Sequence, residues 1–459
     1  MKTLMQRIPW CALMLLGCSS IPDGMPGDEA PAGGSASGVS GTPGSSGAAG
    51  TVAGGGGSGA GTGGAPAVPP PGVTCGAPPS VSLVSPVAAA QMTPGSILLE
   101  ASAANPTMGS SVTFYVRRAH DPDFTIAIMP DTQNYVVDPY NQTHFDKQTE
   151  WIMQNRDAAN IVGVIHNGDL INRPEMAFEW DYAEQAMSKL EQPLPPAYPS
   201  GLPYIITIGN HDQEPMSNTG HADEFNRRFG VARFSGRPYY GGHYGERNDH
   251  SYITFVAGSQ KFLVMALEYG VVPAAAQAWA LEVIRAHPDH RVIMDVHELI
   301  KADGSWGVFG EQVYQLVKAE PNVELMTCGH HLGESRRSDT FEQHTVHTMF
   351  ANWQHLDQGG LGRMRLWHFS PTSGTLLVRT YSPSFNEEFT ADESRFTLPF
   401  DMSQAVPLFA PVAVLGDVSG PVTTMTGALD PGTQYEWYVE AKDPCGQVTA
   451  SEVRTFSTL

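Results

Sequence analysis

The sequence predicts an α/β protein with a second, smaller all-β part. Two observations lead there. Short apolar runs at 124–129, 161–165 and 204–208 read as buried strands, and segments with helical spacing of apolar residues lie between and after them. Near both ends of the chain, strand-like segments separated by Pro, Gly and Asn turns occur with no helical pattern between them. At 459 residues the chain exceeds what one ordinary core supports, so two or more domains are expected.

The elements follow in order. Lys2 and Arg7 precede an apolar stretch that ends Leu15-Leu16-Gly17-Cys18-Ser19. A basic start, a short apolar run and small residues describe an export signal, too short to span a bilayer. The last four residues before Ser19 resemble a bacterial lipobox, which implies a signal over 1–18 and an acylated Cys18. An ordinary signal with an incidental cysteine is the other reading. The expected location is outside the cytoplasm, lipid-anchored to a bacterial membrane, at the outer membrane or cell surface. Residues 19–74 are almost entirely Gly, Ser, Ala, Pro and Thr, which bury too little apolar surface to offset ordering, so a flexible tether is expected.

Strands are expected at 81–84, 96–102 and 111–117, too few to close a sandwich. The far end supplies a matching remainder. Residues 425–440 carry Leu429, a Pro431-Gly432-Thr433 turn and Tyr435-Glu436-Trp437-Tyr438-Val439, and 453–458 read as a last strand. These segments resemble the later strands of fibronectin type III domains. The spans 76–119 and 405–459 hold 44 and 55 residues, about one seven-stranded sandwich of ~100 residues. One split domain is therefore expected, with 120–404 inserted at a connection between strands; two separate small β-modules, each taking its missing strands from elsewhere, are the other reading. The split plan brings Cys75 and Cys445 to the same pole, where they can bond.

Within 120–404, helices are expected at 141–155, 176–190, 274–286 and 309–318. Strands are expected at 261–267, 291–294, 323–326, 345–350, 364–369 and 376–381. Five polar motifs punctuate this region, most of them just past an apolar run: Pro130-Asp131-Thr132-Gln133, Gly168-Asp169, Gly209-Asn210-His211-Asp212, Val296-His297 and Gly329-His330. Carboxylate, amide and imidazole groups past the carboxyl ends of strands occupy the place where α/β sheets carry their sites.

The order and chemistry of these motifs resemble the calcineurin-like metallophosphoesterases, in particular a subset with Pro-Asp-Thr-Gln and Gly-His-x-x-Gly. The resemblance implies a four-layer α/β/β/α sandwich and two divalent ions, Mn, Fe or Zn, that activate water for attack on a phosphoester. By the same resemblance Asp131 is a ligand of the first metal, Asp169 the carboxylate shared by both, and Asn210, His297 and His330 ligands of the second. His211 is implied as the group that stabilises the phosphoryl oxygens and protonates the leaving group, with Asp212 fixing its tautomer.

Two positions depart from the family pattern. Gln133 stands where a histidine is usual, and either binds metal or only hydrogen-bonds near it. Gly329-His330-His331-Leu332-Gly333 puts Leu332 where a second ligand histidine is usual. The first metal is therefore expected to bind weakly, or another side chain substitutes. Asn172 stands where purple acid phosphatases carry a metal-binding tyrosine. Asn352 and Gln354 are assigned to shaping the pocket.

The balance of 26 Lys+Arg against 47 Asp+Glu gives −21, which argues against a nonspecific nucleic-acid binder and leaves bound metal to attract an anionic substrate. The expected partners are a phosphoester substrate, the membrane through Cys18, and a cell-surface partner for the fibronectin-like part. The competing reading is a non-catalytic surface binding protein with a degenerate site.

Overall fold

The computed structural model describes residues 74, 76–104, 109–418 and 420–459. Cys18, Cys75 and the tether expected over 19–74, apart from residue 74, lie outside the described residues.

Strands from the two ends of the described chain pair with one another. Gly95–Ala104 lies between Ser80–Ser85 and Gly420–Leu429 in one sheet, and Ser111–Arg118 lies between Ala410–Gly416 and Gln434–Lys442 in another. Arg454–Thr458 and the short strand Ala90–Met92 extend the second sheet. Alternation drives their burial: Val112, Phe114 and Val116 pack with Trp437, Val439, Leu99 and Phe456 in one core. Cys445 is disulfide-bonded. The exit from this β part is pinned, because the Asp121 carboxylate accepts the Ser259 N–H at 2.8 Å.

The segment between holds two seven-stranded sheets. In the first, Phe124–Met129, Ile161–His166 and Tyr204–Ile206 run parallel, and Met364–Ser370 continues antiparallel from Phe124–Met129. In the second, Gln260–Leu267, Arg291–Val296, Val323–Cys328 and His344–Asn352 run parallel, with Gly333–Phe341 and His250–Ala257 antiparallel on the flanks.

The pleat of Gln260–Leu267 explains the layering. Phe262, Val264 and Ala266 face the core shared with the first sheet, while Leu263, Met265 and Leu267 face Ala280, Ile284, Val313 and Val317 from the helices Ala274–Ala286 and Gly310–Val317. The helices Gln142–Asn155 and Ala177–Ser188 cover the first sheet through Phe145, Ile152, Trp180 and Ala183. This is the expected α/β/β/α order. Apolar periodicity did not mark His250–Ala257, Tyr240–His243 or Gly333–Phe341. The last reads Gly-Glu-Ser-Arg-Arg-Ser-Asp-Thr-Phe and is held by its ladder to His344–Asn352 rather than by an apolar face.

Candidate metal centre

All five motifs emerge at the carboxyl ends of parallel strands: Asp131 after Phe124–Met129, Asp169 after Ile161–His166, Asn210 after Tyr204–Ile206, His297 after Arg291–Val296, and His330 after Val323–Cys328. The loops approach one another closely enough to exclude side chains. A Cβ on Gly209 would overlap Asp169 N and Oδ1, and one on Gly329 would overlap Asp131 Oδ1. Two of the candidate ligands hold left-handed backbone, Asp169 at φ 51° and His330 at φ 67°. Non-glycine residues rarely adopt this region, and such strain concentrates at functional sites.

Four donor atoms converge. Asn210 Oδ1 lies 2.9 Å from His330 Nδ1 and 3.2 Å from His297 Nε2. His297 Nε2 lies 3.3 Å from His330 Nδ1 and 3.2 Å from Asp169 Oδ2. Atoms bound to one cation at about 2.0–2.2 Å are separated by roughly this much. The proton positions agree with that reading. His297 Nδ1 sits 2.6 Å from the Asn167 carbonyl, which only accepts, so Nδ1 carries the hydrogen and the neutral ring turns a lone pair toward the other acceptors. Burial alone disfavours a charged His297, but the Asp169 and Asp131 carboxylates outweigh it and push the imidazole up to about 10. The field that would retain a second proton there equally attracts a metal cation. The residues fit a divalent ion.

The other half is built from oxygens. Asp131 is buried, with its carboxylate accepting the His330 N–H at 3.1 Å and the Asn352 side-chain amide at 2.7 Å. Gln133 donates its Nε2 to Gln354 Oε1, which leaves Gln133 Oε1 buried without a hydrogen-bond partner. A buried amide oxygen without a partner fits a hard cation. Leu332 is 51% exposed and supplies no donor in place of the usual histidine.

His211 lies at the same mouth, its N–H donating to Asp169 Oδ1 at 2.9 Å. Its tautomer is fixed by the Asn172 carbonyl, 2.8 Å from Nδ1. The expectation that Asp212 would do this is corrected. Asp212 accepts the N–H groups of Gly209 at 2.9 Å and of Leu170 and Ile171 at 2.9 and 3.3 Å, so it ties the Asn210 loop to the Asp169 loop. Three nearby backbone donors outcompete the imidazole for a carboxylate that sits at the base of the turn.

Several participants were not read from the sequence. Asn167 orients His297 through its carbonyl while its amide donates to Asp295 at 2.8 Å. Tyr269 packs within 5.1 Å of the His330 ring and 5.7 Å of the His297 ring, centroid to centroid. It stands two residues past Gln260–Leu267, so its position beyond a parallel strand was the available signal. Glu298, next to His297, accepts from His331 Nε2 at 3.0 Å.

The sequence model of the family described as Calcineurin-like phosphoesterase matches residues 124–334, a span that contains all five motif loops. Those residues form a calcineurin-like phosphoesterase domain. An uncharacterized protein of Bacillus subtilis (strain 168), YvnB, is 28% identical over 367 residues, which is 73% of this chain and 27% of that one. The chain thus spans about a quarter of that relative's length. Among solved structures, the purple acid phosphatase PPD1 from yellow lupin (Lupinus luteus) seeds aligns with TM-score 0.42 and 12% identity over 70% of this chain and 75% of its own. A conserved uncharacterized protein (predicted phosphoesterase) of Streptococcus pneumoniae TIGR4 aligns with TM-score 0.26 and 12% identity over 60% of this chain and 98% of its own.

Proposed function

We propose that this chain is an exported, metal-dependent phosphoesterase that hydrolyses phosphomono- or diesters with an activated water. The observation that carries the reading is the convergence of Asp169, Asn210, His297 and His330 donor atoms at 2.9–3.3 Å, inside a domain that matches the calcineurin-like family. These four residues would hold one divalent ion, and Asp131, Asp169 and Gln133 the other. Bound there, the ions supply Lewis-acid polarisation of phosphoryl oxygens and a lowered pKa for water.

The remaining roles belong to the chain itself. His211 keeps Nδ1 committed to the Asn172 carbonyl, so Nε2 is the atom that meets substrate and delivers a proton to the leaving oxygen. Asp212 and the closely packed Gly209 hold His211 and Asn210 in register with Asp169. In the same reading Cys18 anchors the protein to a bacterial membrane, and the terminal β part is a fibronectin-like spacer or docking module.

Metal analysis of purified protein with p-nitrophenyl mono- and diester assays tests the proposal, alongside Asp169→Asn and His211→Ala. Both substitutions are expected to lower turnover by at least about 100-fold. A wild type that bound no metal and cleaved neither ester after supply of Mn²⁺, Fe²⁺ or Zn²⁺ would leave the surface-binding alternative, which the exposed Leu332 favours.

A further inference from the structure

Beside the first centre a second group of ligand types gathers around His330, and two of its members, Glu298 and His331, have none of the family roles. One ligand atom each from Glu298, His330 and His331 lies within 4.8 Å of the others. Glu298 Oε1 is 3.0 Å from His331 Nε2, again the separation of two atoms that share a cation. Glu298 is 2% exposed, and while Oε1 also accepts the Val308 N–H at 3.0 Å, Oε2 is buried with no hydrogen-bond partner. Leaving a carboxylate oxygen bare in the interior is costly unless something positive meets it.

The site is built rather than incidental. Glu298 follows His297 directly off Arg291–Val296, and the 305–308 turn closes over it so tightly that a Cβ on Gly307 would lie 2.7 Å from Oε1. The His331 side chain is 28% exposed, so the position opens to solvent on one side.

We propose that Glu298, His330 and His331 form a divalent-cation site, distinct from the Asp131–Gln133 position and joined to the first centre through His330, whose Nδ1 serves the first ion, so that the added cation takes Nε2 and releases its proton to solvent. Two imidazoles and a carboxylate with an open face suit a zinc-type ion better than the all-oxygen set around Asp131 does. The site places a further cation, beyond the two of the proposed function, where this chain has nitrogen donors. It rests on the metallophosphoesterase reading only in sharing His330.

Metal-free full-length protein titrated with Co²⁺ and Zn²⁺, with bound metal counted directly and the cobalt d–d spectrum recorded, tests this. The expected result is one equivalent lost in both His331→Ala and Glu298→Gln, together with loss of the four- or five-coordinate cobalt band it contributes, and retention of that equivalent in Asp131→Asn. Equal stoichiometry and spectra in wild type and the two variants would overturn the site and leave a Glu298–His331 hydrogen bond only. Because the wild-type titration needs no substitution, a wild type that binds a single nitrogen-ligated equivalent overturns it as well. The two readings fail separately: absence of ester hydrolysis with the His331-dependent equivalent present sinks the function and keeps the site, and the converse result does the opposite.

Discussion

The Nδ1 atom of His297 lies 2.6 Å from the main-chain carbonyl of Asn167, and that single contact decides which nitrogen faces the centre. A backbone acceptor cannot be titrated or rotated away, so Nε2 is permanently presented to Asp169, Asn210 and His330. His297→Ala should lower affinity for the nitrogen-ligated ion by at least about 100-fold, more than the 10–100-fold usual for losing an orienting partner. Competition with a fluorescent chelator measures it. An unchanged dissociation constant would remove His297 from the ligand set.

Asp212 offers a separate test of structure against chemistry. Its carboxylate satisfies the N–H groups of Gly209, Leu170 and Ile171 in a fully buried turn. Asp212→Ala strands all three donors, and each lost buried partner costs about 1–3 kcal/mol, partly relieved by relaxation. The expected outcome is destabilisation of roughly 2–4 kcal/mol in urea melts. If Asp212 instead acted on the His211 ring, the variant would lose activity with an unaltered melting curve.

How much of this was legible beforehand follows from the kind of signal each residue carries. Asp169, Asn210, His297 and His330 could be placed because short apolar strands and turn glycines bracket them, and the strand order then carries them to one edge. The partner of Asp212 could not, since three backbone N–H groups have no sequence signature. Gly333–Phe341 was likewise hidden, because its pattern is polar and only pairing with His344–Asn352 makes it a strand. Asn352 was read as shaping the pocket, and the structure gives that role an atom: its amide donates to Asp131 Oδ2.

That contact predicts a further effect. Asn352 donates to Asp131 and to the His330 carbonyl at 3.2 Å, while its own oxygen accepts the Gln354 N–H at 2.9 Å. It therefore sets the orientation of Asp131 without belonging to the ligand set. Asn352→Ala should weaken the oxygen-ligated ion by about 10–100-fold and leave the nitrogen-ligated one bound. Sequential Mn²⁺ and Zn²⁺ titrations followed by calorimetry would show this, and equal weakening of both ions would contradict it.

Glu268, which lies outside the ligand set, contributes to the pH dependence of stability. Burial, with a smaller push from Asp249, raises its carboxyl to about 7, although the Gly220 N–H and Gln213 amide, each at 2.8 Å from Oε1, work the other way. The folded state therefore keeps this proton up to about pH 7, whereas the unfolded chain releases it near the ordinary 4.5. Its contribution is complete below pH 4.5 and is lost as the pH rises through 7. At about 1.4 kcal/mol per pKa unit, the loss is of order 3 kcal/mol. Glu268→Gln retains the accepting oxygen but has no proton to lose, so its melting temperature should exceed that of wild type at pH 8 and match it near pH 5. Thermal melts across pH 4–9 that fell in parallel for the two proteins would show that Glu268 is not the group responsible.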